Sequence, residues 1–250
     1  MNFSPLFIFG QPRSGSTMLQ RILNTHPKVL LTGEHLGILD GIATSFFRLA
    51  NDRESNDFLH RDSQTLETLR NPNYFIAKLS GLSRQYMEDQ YREFLARLCN
   101  PMAFQGRWGI KEIRYLSSNC LVVDFILKMF PQAKFLFTVR DPVTQIQSVL
   151  SAKWWHLSYE AAVDQWLEQY QAALAYKDIY PENIMIISYE KFLEAPQPVL
   201  DSMKLLTQLE FVEGATTVIN ESFKVGATPN IQSLTQKQIR EICQKCRYAT

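Results

Sequence analysis

At 250 residues the chain is long enough to bury a large core as one α/β domain, or as one domain with an embellishment. Hydrophobic residues at 46% and charged residues at 20% exclude a disordered chain. With 26 basic and 25 acidic side chains the net charge is +1, which does not support nonspecific binding to nucleic acid or membrane; any anion site must be local.

Leu6 to Phe9 is a continuous apolar run that stops at Gly10, the pattern of a strand buried on both faces. It is far too short for a signal-peptide core or a membrane span, and no other stretch approaches about 18 uninterrupted apolar residues. The expectation is a cytoplasmic protein with no membrane span. From about Ser16, the residues Met18, Leu19, Ile22 and Leu23 have helical spacing that ends before His26-Pro27. Val29 to Leu31 reads as a second strand, followed by Gly33-Glu34. Residues 36–104 carry no strong strand pattern. Helices are expected around Phe46 to Ala50 and from Tyr86 to Leu98, with a polar loop over 51–62.

Trp108 to Lys111 reads as a third strand, and Leu121 to Met129 as a helix closed by Pro131. Ala133 to Arg140 is a clear strand. Asp141 as N-cap and Pro142 at the first helical position then start a helix through Ile146 and Val149. A long amphipathic helix over Tyr159 to Tyr176 precedes a strand at Asn183 to Tyr189. Tyr189-Glu190 closes that strand as a motif with a structural role, and further helices are expected at Pro198 to Leu205 and Gln236 to Arg247. Strands alternating with helices predict a central parallel sheet flanked by helices, with a ligand crevice at the strand carboxyl ends.

Four cysteines, Cys99, Cys120, Cys243 and Cys246, are too few and too scattered for a disulfide framework. Cys243 and Cys246 have the spacing of a redox pair or half a zinc site. They lie in a helical pattern beside Ile239 and Ile242, however, with no second ligand pair. The expectation is two small buried core residues.

The string Gly10-Gln-Pro-Arg-Ser-Gly-Ser-Thr17 lies between the first strand and the first helix. In that context it is a phosphate cradle, with backbone N–H groups and the helix N-terminus facing an anion. Gly10 and Gly15 have the spacing of the Walker pattern, but Ser16 fills its lysine slot. Arg13 supplies a cation inside the loop, suited to forked contact with phosphate or sulfate oxygens. Further along, Arg140 at a strand end and Ser148 about two turns into the next helix can converge on a second anion.

The loop PRSGST resembles the 5′-phosphosulfate loop of the PAPS-dependent sulfotransferases (PAPS is 3′-phosphoadenosine 5′-phosphosulfate). Its spacing is closest to the bacterial and tyrosyl-protein types. The match continues through Arg21, Leu23, His26-Pro27 and Gly33-Glu34 and runs in patches from residue 6 to about 226. The resemblance implies a P-loop-NTPase-like fold and a single sulfotransferase domain over 1–250, with 36–104 as a mostly helical acceptor-side insertion. It implies PAPS as donor co-substrate, PAP (the desulfated nucleotide) as product, and no metal; no metal-ligand cluster is visible in the sequence.

On this resemblance Arg13, Ser14, Gly15, Ser16 and Thr17 contact the phosphosulfate, and Arg140 with Ser148 holds the 3′-phosphate. Glu34 occupies the position of a catalytic base, which the chemistry requires because an acceptor hydroxyl must lose its proton. His35 is the neighbouring alternative, since an imidazole titrates near neutrality. Transfer would be in line, opposite the phosphate leaving group; the loop N–H groups, Arg13 and Lys111 would balance charge, with Lys111 stabilising the departing phosphate. Glu112 and Arg114 would orient that loop or meet substrate, Lys224 would belong to a late loop over the nucleotide, and His26 would pack or cap. Trp154 and Trp155 would stack on adenine, line the acceptor cleft or simply pack.

The acceptor is a hydroxyl compound of unspecified class. A P-loop kinase and a non-catalytic PAPS- or PAP-binding protein remain as alternatives.

Overall fold

The structure, a computed structural model, describes residues 4–51, 84–117, 120–152, 156–210 and 233–247. Its strands are β1 (Leu6–Gly10), β2 (Val29–Thr32), β3 (Arg107–Glu112), β4 (Lys134–Val139) and β5 (Ile184–Ser188). They form one parallel sheet in the order β2-β3-β1-β4-β5. The chain leaves β1 toward one edge and later returns to its other side, so the strand order reverses at β1. In open parallel sheets a ligand crevice forms at such a point.

Two compact units are present. One comprises Met1–Gly37, Phe104–Cys120 and Gln132–Thr250; the other comprises Ile38–Ala103 and Leu121–Pro131. The first contains the sheet and the helices α1 (Ser16–Asn24), α5 (Pro142–Leu150), α6 (Tyr159–Ile179), α7 (Tyr189–Glu194), α8 (Pro196–Thr207) and α9 (Gln236–Arg247). The second contains α2 (Ile38–Asn51), α3 (Arg84–Cys99) and α4 (Val122–Met129). Among the described residues no helix is long and apolar enough to cross a membrane.

The continuous apolar runs of β1 and β4 follow from burial on both faces of the sheet. Leu6, Ile8 and Leu136 pack with Leu19 and Ile22 of α1 and with Leu200 and Met203 of α8. On the other face Phe7, Phe9, Phe135 and Phe137 form an aromatic ladder: Phe7 stacks on Phe135 at 5.3 Å, and Tyr115 meets Phe9 edge-on at 5.1 Å. Each fully buried aromatic side chain contributes about 1.5–3 kcal/mol, so this ladder stiffens the strands whose ends carry the site. In the second unit Phe46 of α2 lies 5.2 Å from Tyr91 of α3 and 5.4 Å from Phe125 of α4.

The helix start at Asp141-Pro142 forms as the sequence predicts, with Asp141 Oδ1 accepting from Thr144 N at 2.9 Å. The third strand runs further than its apolar core suggests, from Arg107 through Glu112, because pairing continues on both sides. One expectation is corrected on α9. Ile242 and Cys246 are buried, but Cys243 is exposed. The buried stripe of this helix is narrow, and a residue one step beyond Ile242 turns about 100° away from it. Burial pushes the Cys246 thiol up to about 11 and that of Cys99 to about 12, so neither is poised as a thiolate.

Candidate active site

Beyond β1 the chain folds back into α1 through a loop with two left-handed residues, Arg13 (φ 64°) and Gly15 (φ 86°). Gly15 adopts this conformation freely, but Arg13 does so only because its surroundings hold it there. Several contacts provide that hold. Ser14 Oγ donates to Gln11 O at 2.6 Å and lies 2.7 Å from Thr138 Oγ1. Gln11 Nε2 donates to Trp166 O at 3.0 Å, and Arg140 Nη1 donates to Arg13 O at 3.1 Å. A Cβ on Gly15 would sit 2.3 Å from the Tyr189 ring, so the loop lies directly against that side chain.

Ser14, expected from the sequence to contact the phosphosulfate, has its own contacts inside the loop. Its hydroxyl and its N–H both point inward, to Gln11 and Thr138, and its side chain is buried. Ser14 builds the loop and does not face its opening.

The first N–H groups of α1 have no side-chain cap, and the first helical bond runs from Leu19 N to Gly15 O. Those uncapped donors and the positive end of the helix face a cleft of about 250 Å³. All five strands contribute to its wall. The loop after β1 brings Arg13 and Gly15 to Thr17, and the turn after β2 brings Glu34. Lys111 and Ile113 come from the end of β3, Arg140 from the end of β4 and Tyr189 from the end of β5. Among the described residues the charges on that wall are three cations and one carboxylate, in a chain whose net charge is only +1.

Lys111 is buried, and its Nζ pairs with Glu34 Oε1. Arg114 Nη1 donates to Glu34 Oε2 at 3.0 Å and also bonds Glu112. Burial pushes the Glu34 carboxyl up, but the hydrogen bonds and charges of Lys111 and Arg114 outweigh it and hold the group below the usual glutamate value.

Arg13 Nε donates to Ser148 Oγ at 2.9 Å, which joins the two sequence-predicted anion anchors through one contact. The Arg140 guanidinium lies over the Tyr189 ring at 4.8 Å, with its Nε 3.9 Å from Glu190 Oε1. Glu190 in turn accepts from Asp141 N at 3.0 Å.

The structure therefore brings Arg13, Gly15, Ser16, Thr17, Glu34, Lys111 and Arg140 to one cleft, with Ser148 tied to it through Arg13. His35 is not on the cleft wall; its Nε2 lies 3.5 Å from Thr32 Oγ1, and its Nδ1 is buried. His26 caps its own turn, its Nδ1 accepting from Lys28 N at 3.0 Å. Lys224, Trp154 and Trp155 lie outside the described residues. Tyr189, read from the sequence as structural, is a wall residue. The register of β4 and β5 aligns Val139 with Ser188, so Arg140 and Tyr189 follow at neighbouring strand ends.

The sequence model of the sulfotransferase family matches residues 5–212. A putative protein-tyrosine sulfotransferase of Caenorhabditis briggsae is 22% identical over 217 residues, covering 84% of this chain and 68% of that protein. The protein-tyrosine sulfotransferase of Drosophila melanogaster is 24% identical over 200 residues, covering 77% of this chain but 35% of its own length. Among solved structures, the sulfotransferase domain of the Synechococcus PCC 7002 olefin synthase aligns with a TM-score of 0.59 at 18% identity, over 98% of this chain and 96% of that one. Mouse sulfotransferase SULT7A1 complexed with PAP aligns with a TM-score of 0.55 at 12% identity, over 98% and 85%. These two likenesses concern the fold. The family match, which spans the sheet and every strand end around the cleft, is what identifies the protein: the chain belongs to the sulfotransferase family.

Proposed function

We propose that the chain transfers the sulfuryl group of PAPS to a hydroxyl acceptor, with Glu34 as general base. The observation that carries this reading is the convergence of Arg13, Lys111 and Arg140 with the carboxylate of Glu34 at a glycine loop on a helix N-terminus. The donor set suits the ligand. PAPS has two separate anionic groups, and the cleft has cations at the loop and on β4, with an aromatic face at Tyr189. When bound, PAPS supplies an activated sulfuryl group on a phosphate leaving group.

In this reading Arg13 and the N–H groups from Gly15 to Thr17 hold the phosphosulfate, and Arg140 with Ser148 holds the 3′-phosphate. Lys111 balances charge on the departing phosphate, and Glu34 accepts the acceptor proton. Lys224 keeps its proposed place in a loop over the nucleotide. Residues 36–104 keep theirs as the acceptor-selecting insertion of one sulfotransferase domain. The names of the curated relatives make the phenolic hydroxyl of a tyrosine peptide the first acceptor to test, beside small alcohols and phenols, with radiolabelled PAPS.

Calorimetry with PAP and with Mg-ATP tests the donor assignment. PAP should bind tightly whether or not Mg²⁺ is present, and ATP weakly, because Ser16 stands where a nucleoside-triphosphatase loop has its lysine. A preference for Mg-ATP would overturn the proposal. Gly15→Ala should weaken PAP binding at least about tenfold, because a Cβ at φ 86° is strained by roughly 1–2 kcal/mol and also meets Tyr189. The same titration reads it, with circular dichroism checking that helix content is unchanged.

A further inference from the structure

Glu112 is fully buried, and a charged group persists in that setting only when its hydrogen-bonding capacity is met. Four donors meet it. Its Oε1 accepts from Ile113 N at 2.8 Å and from Arg114 Nη1. Its Oε2 accepts from His35 N at 3.1 Å and Gly37 N at 3.2 Å.

The last two donors belong to the turn that carries Glu34. Leu36 (φ 56°) and Gly37 (φ 79°) are both left-handed, which folds the N–H groups on either side of Leu36 around one point. The N–H groups of His35 and Gly37, turned toward one point this way, form an anion-binding concavity, and Glu112 is its anion. The Leu36 side chain is 79% exposed, so packing does not hold its strained backbone; the bonds to Glu112 do. The turn is thus gripped at the end of β3 by two consecutive residues. Lys111 takes the side chain of Glu34, and Glu112 takes the backbone just beyond it. Arg114 closes the circuit by bonding both carboxylates.

We infer that Glu112 is a positioning residue of this site: its carboxylate fixes the turn over residues 34–37 and the Arg114 guanidinium, and so presents Glu34 to Lys111 in the cleft. Its consequence for turnover rests on the reading of Glu34 as base. Its consequence for the geometry around Glu34 does not.

The test is a carbon-13 NMR titration of the Glu34 side-chain carboxyl in the full chain, assigned by its loss in Glu34→Gln. The charged groups facing Glu34 are Lys111 and Arg114, with Arg13 and Arg140 across the same cleft and His35 next in sequence. In the wild type the midpoint should lie below that of an ordinary glutamate, as its two partners require. In Glu112→Gln the turn should release, Glu34 should lose both partners, and the midpoint should rise into the ordinary range. If Glu112 acts only through its charge, the variant leaves Arg114 wholly to Glu34; the midpoint then stays low or falls, and the inference is overturned.

Gly37→Ala tests the same turn without disturbing a buried charge. A Cβ there is 3.5 Å from Arg114 Cδ but strained at its φ, so the midpoint should again rise. An unchanged midpoint in Gly37→Ala overturns the inference even if Glu112→Gln does not fold. The nitrogen-15 amide spectrum reports folding, and PAP affinity in both variants should stay within about threefold of wild type. Failure of the base assignment would show separately, as undiminished turnover in Glu34→Gln with these midpoint shifts intact.

Discussion

Glu34→Gln should lower the rate of sulfuryl transfer by about 10²–10⁴-fold, the usual contribution of a positioned general base, while PAP affinity changes little. Glutamine has nearly the shape of glutamate, and its one carbonyl oxygen can still accept from Lys111 or Arg114 in place of the two carboxylate oxygens, but it cannot take a proton at neutral pH. The pH profile sharpens the test. Burial alone would raise the Glu34 carboxyl, but Lys111 and Arg114 bring it below the ordinary value in the free protein. The acid limb of kcat/KM, which reports the free protein, should therefore lie below the usual glutamate range. An anion held in the loop competes with Glu34 for the single Lys111 ammonium on the same wall. The acid limb of kcat, which reports the bound state, should accordingly lie at higher pH than that of kcat/KM.

Stability carries the same sign. A carboxyl whose folded value is depressed contributes stability above its unfolded value, and that contribution is lost as pH falls through the folded value. Exposure of 29% of the side chain keeps this contribution small. Steady-state profiles of wild type and variant are the measurement. Full turnover in Glu34→Gln, or an acid limb that survives the substitution, removes Glu34 as base.

The parts of this site legible in the sequence are those encoded locally. Leu6 to Gly10 announces a doubly buried strand, Asp141-Pro142 caps its helix as written, and Ser16 in the lysine slot is visible without coordinates. Contacts set by strand order were not legible. Lys111 can meet Glu34 because β3 lies beside β2 in a register that aligns Thr32 with Ile110, so both chains reach the cleft together. Ser14 turns inward because Gly10 is aligned with Thr138 on β4, which places a buried hydroxyl under the loop. Tyr189 becomes a wall residue because β5 neighbours β4, and although an orienting part for Glu112 and Arg114 could be expected, their partners lie on a turn 75 or more residues away in sequence. Cys243 failed for a different reason: apolar periodicity marks a helix face but not how wide a stripe of it finds a partner.

Arg140→Ala should weaken PAP binding by about 10²–10³-fold, because the guanidinium has two functions and alanine ends both. It is a charged donor on the cleft wall, where a charge-assisted hydrogen bond is worth about 1.5–3 kcal/mol. It also donates to Arg13 O, one of the bonds that hold Arg13 in its left-handed conformation, and it rests on the Tyr189 ring. Global stability should change far less. Arg140 shares its cleft with Arg13 and Lys111, so its removal relieves repulsion among three cations, and Glu190 keeps its bond from Asp141 N. Arg140→Lys separates charge from geometry: an ammonium keeps the charge but cannot reproduce the planar stack and fork, so affinity should recover only in part. The comparison that isolates the role is PAP against adenosine 5′-monophosphate, which lacks the 3′-phosphate. Wild type should prefer PAP strongly, and Arg140→Ala should erase most of that preference, while the monophosphate loses only the smaller part that comes through the bond to Arg13. If both ligands lose affinity equally, Arg140 acts through Arg13 and the loop, and the 3′-phosphate must be held elsewhere.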